Sequence, residues 1–274
     1  MRLSRSRIRS AIMLAFVFVF GGCATGGGRP IAPSSGPDQL RVAKLRYDQR
    51  QYTDAVDLLK GYLQFQSGAP DLDEAHFVLG MCYVKRSEWP LAVTEFQILT
   101  TDFGDSPRLG DAHYWLGVSY WKQTRPAAYD QDMTRRAIGQ FDRFLTLYPD
   151  HPQVSEIREL KVLGRDRLAQ KAYNNGALYL KLHHFSPARY YFGLVRRDYP
   201  EGKWAELSLP GQAEAFYREG YLEEARALLD STSAGLTDPE ARRRAEVLIK
   251  KYGPPRGSAV PVPTSAPDSA GASG

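Results

Sequence analysis

The sequence predicts an all-α fold drawn out as a superhelical solenoid of about five helix pairs, and three observations predict it. Apolar residues recur at helical spacing between residues 38 and 252, while alternation with period two never lasts more than a few residues. A pattern of Leu-Gly, Tyr, Ala and Phe returns along that stretch. The two ends differ in composition from the middle, which leaves residues 38–252, some 215 of the 274, to build the core.

The N-terminus reads as an address. Residues 1–10 carry Arg2, Arg5, Arg7 and Arg9, residues 11–20 are an apolar run, and Gly21, Gly22 and Cys23 follow. That order is a signal peptide over residues 1–22. Its apolar run is about half the length a bilayer-spanning helix needs. Cys23 after two small residues resembles the lipobox of bacterial lipoproteins, with Phe20 standing where Leu is usual. The resemblance implies acylation of Cys23, and Ala24 after it resembles the signal for export to the outer membrane. Residues 23–37, rich in Gly, Pro and Ser, then read as a lipidated cysteine and flexible tether.

The clearest unit of the middle spans residues 73–106. Leu79-Gly80, Tyr83, Trp89, Ala92, Phe96 and Leu99 have the spacing of a tetratricopeptide (TPR) repeat, two antiparallel helices with small residues where they cross. Gly80 and Ala92 let the backbones approach, Tyr83 and Phe96 fill the space between them, and Pro90 suits a first helical turn. Repeat one, residues 38–70, shows Ala43, Tyr52, Ala55, Leu59 and Tyr62. Repeat three, 110–152, has Leu116-Gly117, Tyr120, Ala137, Phe141 and Phe144. Repeat four, 169–201, has Gly176, Tyr179, Phe185, Ala188, Phe192 and Val195; repeat five, 206–232, has Ala213, Phe216, Leu222, Ala225 and Leu229.

The second-helix alanines at 55, 92, 137, 188 and 225 are 37, 45, 51 and 37 residues apart. Against a period of about 34, the two long gaps mark insertions. One falls at Thr124 to Thr134, and the other follows Pro152, where residues 153–184 suit one long helix. The tail, residues 253–274, has 17 Gly, Pro, Ser or Ala among 22 and is expected to remain disordered.

Composition excludes several functions. Without the four arginines of the leader, 32 basic side chains stand against 31 acidic ones, too even for nucleic-acid binding. No His-Glu-x-x-His, Gly-x-Ser-x-Gly or Cys-x-x-Cys occurs, so neither an enzyme nor a cofactor or metal site is expected. His76 and His113 recur at one repeat position, which suits a structural role, and Cys82 inside a first helix reads as a small buried hydrophobe.

Lipobox, short tether and five TPR units together resemble BamD, the lipoprotein family of the machine that inserts β-barrel proteins into the bacterial outer membrane. The resemblance covers roughly residues 38–230. Its more specific part is Asp130-Gln131-Asp132, the helix Ala137 to Leu145 and the end Tyr148-Pro149-Asp150-His151-Pro152; Arg196 to Pro200 is also similar. Gln64 to Pro70 departs from the Tyr-Pro stop usual after repeat one, and Tyr190-Tyr191 replaces a polar pair.

First helices line the inner face of a TPR solenoid, so counted positions name a peptide-binding groove. The N-terminal repeats contribute Lys44, Tyr47, Phe77, Met81 and Lys85; later ones add Tyr114, Trp121, Lys122, Tyr173 and Lys181. Lys85, Lys122, Lys181 and Arg218 repeat a cation at one height, which suits an extended peptide with apolar side chains and a carboxylate. The BamD resemblance implies two partners, unfolded outer-membrane proteins and a BamA-like barrel subunit, with a lipid anchor on the periplasmic side of the outer membrane. It puts subunit docking on repeats four and five, with Arg189, Tyr191, Arg196, Arg197, Tyr217 and Arg218 as candidates. The alternative is another TPR lipoprotein adaptor, a secretin pilotin or a scaffold for cell-wall enzymes.

Overall fold

The computed structural model describes residues 36–253. The expected leader of residues 1–22, Cys23, the tether through residue 35 and the tail from residue 254 lie outside the described residues.

Five antiparallel helix pairs follow one another: α1 (Gly36–Asp48) with α2 (Tyr52–Phe65), α3 (Leu72–Lys85) with α4 (Trp89–Asp102), α5 (Leu109–Lys122) with α6 (Asp132–Leu147), α7 (Val154–Lys181) with α8 (Phe185–Asp198), and α9 (Lys203–Glu219) with α10 (Leu222–Thr232). A further helix, α11 (Pro239–Tyr252), follows a short 3-10 turn at Ser233–Gly235. Each second helix packs on its own first helix and on the first helix of the next pair, which is the TPR arrangement. The fold class is the all-α solenoid that the spacing predicts, and no strand occurs among the described residues. α1 begins at Gly36, two residues before the start that composition suggests.

The repeating residues explain the pairing. A Cβ on Gly80 would lie 2.7 Å from the Phe96 ring, one on Gly117 2.9 Å from Phe141, and one on Gly176 2.9 Å from Phe192. On α3, α5 and α7 a glycine therefore admits the fully buried phenylalanine of the second helix. Burial of these rings at about 25 cal/mol per Å² is what joins helices too short to be stable alone.

The turns inside the pairs repeat as well. Arg50, Ser87 and His183 have φ near 60°, and Gly220 has φ 95°. In each case the next N–H reaches back to a first-helix carbonyl: Gln51 to Arg46, Glu88 to Tyr83 and His184 to Tyr179 at 2.9 Å, Tyr221 to Phe216 at 3.0 Å. That closes the helix in the manner of a Schellman turn.

Repeat three lacks this turn because its insertion intervenes. Gln131 is buried there, and its Nε2 donates to the carbonyls of Arg125, Pro126 and Tyr129 at 3.3, 2.9 and 3.1 Å. The Thr134 hydroxyl donates to Gln131 Oε1 at 2.8 Å. One buried amide, its two hydrogens shared among three carbonyls, thus ties the inserted loop together. The second insertion is absorbed by the 28-residue α7, whose Val154 and Ile157 complete the core of repeats one to three while Ala169 and Ala172 begin the next.

Candidate protein-binding face

The first helices α1, α3 and α5 meet around one carboxylate. Glu74 on α3 receives Lys44 Nζ of α1 at 2.6 Å and the Arg108 guanidinium, just before α5, at 2.7 and 3.2 Å. Burial alone would raise the Glu74 pKa, but the hydrogen bonds from Arg108 and Lys44 outweigh it and hold the carboxyl below its ordinary value. Arg108 also lies over the Phe77 ring, 5.0 Å from its centre.

Beside this triad is a recess of ≈ 200 Å³ lined by Lys44, Tyr47, Asp48, Glu74, Phe77, Val78, Met81 and Arg108. Four of the expected groove residues, Lys44, Tyr47, Phe77 and Met81, therefore converge. Tyr47, Phe77 and Met81 are half-buried and present apolar surface, while Lys44 and Arg108 rim it with charge. A recess of this make-up accepts an apolar side chain and holds an adjacent anion. The expected groove set left out Glu74 and Arg108. Glu74 occupies a counted inner-face position, whereas Arg108 precedes its helix and left no periodic signal.

Lys85, Lys122 and Lys181 are exposed and have no ion pair among the described residues; Arg218 contacts Glu214 at 3.3 Å. All four stand in the last turn of a first helix, where a cation offsets the carbonyl end of the helix dipole. The ladder has a local cause whatever binds beside it.

Other expected groove residues are engaged within the fold. Tyr114 is buried, with its hydroxyl donating to Glu156 of α7 at 2.9 Å and its ring beside Trp115 and Phe144. Burial, then that hydrogen bond, push the phenol well above its ordinary pKa. Tyr114 is interior rather than a groove surface, because the long α7 supplies its partner. Trp121 is half-buried under the Arg167 guanidinium, 4.7 Å from the ring. Tyr173 accepts from Arg244 of α11 at 2.9 Å and packs 5.2 Å from Trp204.

In repeats four and five, Arg189 pairs with Glu219 at 3.2 Å and lies 4.9 Å above both Phe216 and Tyr221. Arg189 and Arg197 line a shallow depression of ≈ 540 Å³ together with Tyr190, Gln212 and Phe216. Arg197 is exposed and chelates its neighbour Asp198 at 2.6 Å. Arg196 is half-buried, donates to Gln212 Oε1 at 2.8 Å, and has no carboxylate partner among the described residues. Burial lowers its pKa. Tyr191 stacks on Tyr179 with centroids 5.5 Å apart, leaving Tyr190 as the outward ring. Tyr217, expected to be a docking residue, is instead buried under Tyr252.

Among the described residues no group of three or more His, Cys, Asp or Glu is placed to hold a metal ion, and no helix is long and apolar enough to cross a membrane.

The family model described as YfiO, outer membrane lipoprotein, matches residues 29–230. Solved structures similar to this chain include TPR proteins. A tetratricopeptide repeat protein from Parabacteroides merdae is 14% identical, with 78% of this chain and 73% of that one covered at a TM-score of 0.35. The TPR2AB domain of yeast Sti1, solved as a complex with pHSP90, is 14% identical over 79% of this chain and 85% of that one, TM-score 0.37. The TPR domain of P58(IPK) is 16% identical over 78% of this chain and 56% of that one, TM-score 0.39. No curated protein matches the chain.

Proposed function

The chain belongs to the YfiO family of outer membrane lipoproteins, and on that premise we propose that it is a non-enzymatic assembly factor for outer-membrane β-barrel proteins, similar to BamD. In this reading Cys23 is acylated and holds the solenoid at the periplasmic side of the outer membrane. Two or more acyl chains make such an anchor stable.

The observation that carries the reading is the recess around Lys44, Tyr47, Phe77, Met81 and Arg108. An apolar pocket rimmed by cations on the inner face of repeats one to three suits an unfolded barrel segment with an aromatic side chain beside a carboxylate. Lys85 and Lys122 extend the same charge along the groove. A BamA-like barrel subunit would dock at the other end, on Arg189, Tyr191, Arg196, Arg197 and Arg218. Arg196 supports this, since a half-buried guanidinium whose one side-chain partner among the described residues is a neutral amide favours a carboxylate from outside.

The test is recovery of partners by a C-terminally tagged chain from mildly solubilised membranes. A large outer-membrane barrel protein at near-equal amount is expected. A secretin or a murein hydrolase in its place would overturn the reading in favour of a pilotin or cell-wall adaptor. For the groove, Lys85→Glu with Lys122→Glu is expected to weaken binding of a barrel-signal peptide; unchanged binding removes the ladder from the site.

A further inference from the structure

The helix α11 stands outside the five pairs, and its packing is not that of a sixth. First helices α3, α5, α7 and α9 pack extensively on the second helix before them, whereas α11 packs chiefly on α9 and only marginally on α10. Two contacts fix its place. Arg244 Nη1 donates to the Tyr173 hydroxyl on α7 at 2.9 Å. The Tyr252 ring stacks on Tyr217 of α9, with centroids 4.1 Å apart and planes at 14°. Tyr173 and Tyr217 belong to successive first helices, at positions that repeat geometry turns toward the inner face. α11 therefore lies over the inner face of repeats four and five, where a bound helix would lie.

The way α11 is held also differs from the rest of the core. Its buried side chains are Ala241, Ala245 and Leu248, set against Leu209, Ala213 and Tyr217, with none of the inserted phenylalanines that lock pairs two to four. Its start is fastened by one half-buried carboxylate: Glu206 of α9 accepts from Thr237 N at 2.5 Å, Thr237 Oγ1 at 2.6 Å and Asp238 N at 2.7 Å. A helix seated through small residues, latched at its start by Glu206 and held further along by the Arg244, Tyr252 and Arg226 contacts, can open without the solenoid unfolding.

We propose that the inner face of repeats four and five is a helix-binding surface occupied by the chain's own α11, and that a partner's amphipathic helix takes its place. The occupant defines the ligand chemistry: small apolar residues one turn apart, then a leucine, an arginine reaching the Tyr173 hydroxyl, and an aromatic ring at the end for Tyr217. While α11 is seated the surface is closed, so a competing helix binds in proportion to the open fraction. The proposal goes beyond the assembly-factor reading and is independent of what repeats one to three bind.

The probe is a labelled peptide of residues 236–252, added to the chain carrying Cys23→Ser, with and without Glu206→Ala, which opens the latch and leaves the covered surface intact. The latch variant is expected to bind the peptide at least roughly tenfold tighter than its parent, and the same peptide with Arg244→Ala and Tyr252→Ala is expected not to compete. In the parent, α11 amides are expected to exchange hydrogen together and ahead of those of α9. A latch variant that keeps its circular dichroism yet binds no better than the parent overturns the proposal. So do α11 amides that exchange no faster than those of α9, a result that stands even if the variant fails to fold.

Discussion

The Phe192 ring leaves no room for a side chain at Gly211: a Cβ there would meet three ring atoms at 2.6, 2.8 and 2.9 Å. The ring cannot withdraw, because Gly176 on the other first helix is equally close, with a Cβ position 2.9 Å away. Gly211→Ala gains about 1 kcal/mol of helix propensity but overpacks a fully buried site, at about 1–3 kcal/mol. The pinned ring decides the sign, and a net loss is expected as a lower urea midpoint. Adding Phe192→Leu to Gly211→Ala is expected to cost less than the two single changes together.

That glycine also marks how far the sequence is legible. Gly80 with Phe96, Gly117 with Phe141 and Gly176 with Phe192 could be read directly, since each pair recurs within a repeat. Gly211 meets a phenylalanine of the repeat before it and has no counterpart to reveal it. Position counting placed Lys44, Tyr47, Phe77 and Met81 toward one recess for the same reason that the helices were legible, a fixed period. It failed at Tyr114, as the docking expectation failed at Tyr217, because a repeat position gives a direction and not what covers it. Glu156 on the extended α7 engages one and Tyr252 on α11 the other, and both coverers belong to segments without a repeat-mate.

The left-handed turn residues carry a second expectation. Ser87 and His183 hold φ of 58° and 61° with side chains that disfavour that region, at about 1–2 kcal/mol. Glycine removes this strain but loosens the unfolded chain by about 0.4–1 kcal/mol. Both residues are exposed, so little packing is lost, the edge contact of the His183 ring with Phe185 being the ring contact that goes. Ser87→Gly and His183→Gly are each expected to stabilise by up to about 1 kcal/mol, whereas Gly220→Ala is expected to destabilise. Thermal melting of the three variants checks the order.

Cys82 is fully buried on α3, and burial pushes its thiol up to about 12. A thiolate is the reactive form, so the folded chain is expected to resist alkylation at pH 8. With Cys23→Ser removing the other thiol, labelling by iodoacetamide is expected to be slow in buffer and rapid in denaturant. Rapid labelling of the folded chain would contradict the packing of α3 against repeat one.

Glu74 gives the pH dependence of the N-terminal face. Its folded carboxyl binds a proton less readily than the unfolded one, so near pH 4 the unfolded state carries the extra proton and stability rises with pH. The contribution is complete above the ordinary value of about 4.3 and is lost as pH falls through the depressed folded value. Lys44 and Arg108 are 47% and 40% exposed, so solvent screens the triad, and Glu74→Gln is expected to cost only about 1 kcal/mol at pH 7. Asp73 also faces Arg108 and is present in both chains, so the difference between them isolates Glu74. Urea denaturation is expected to show the two chains apart at pH 7 and converging in acid, below the folded value. A gap that stays constant would mean that the loss came from packing rather than from the carboxylate's charge.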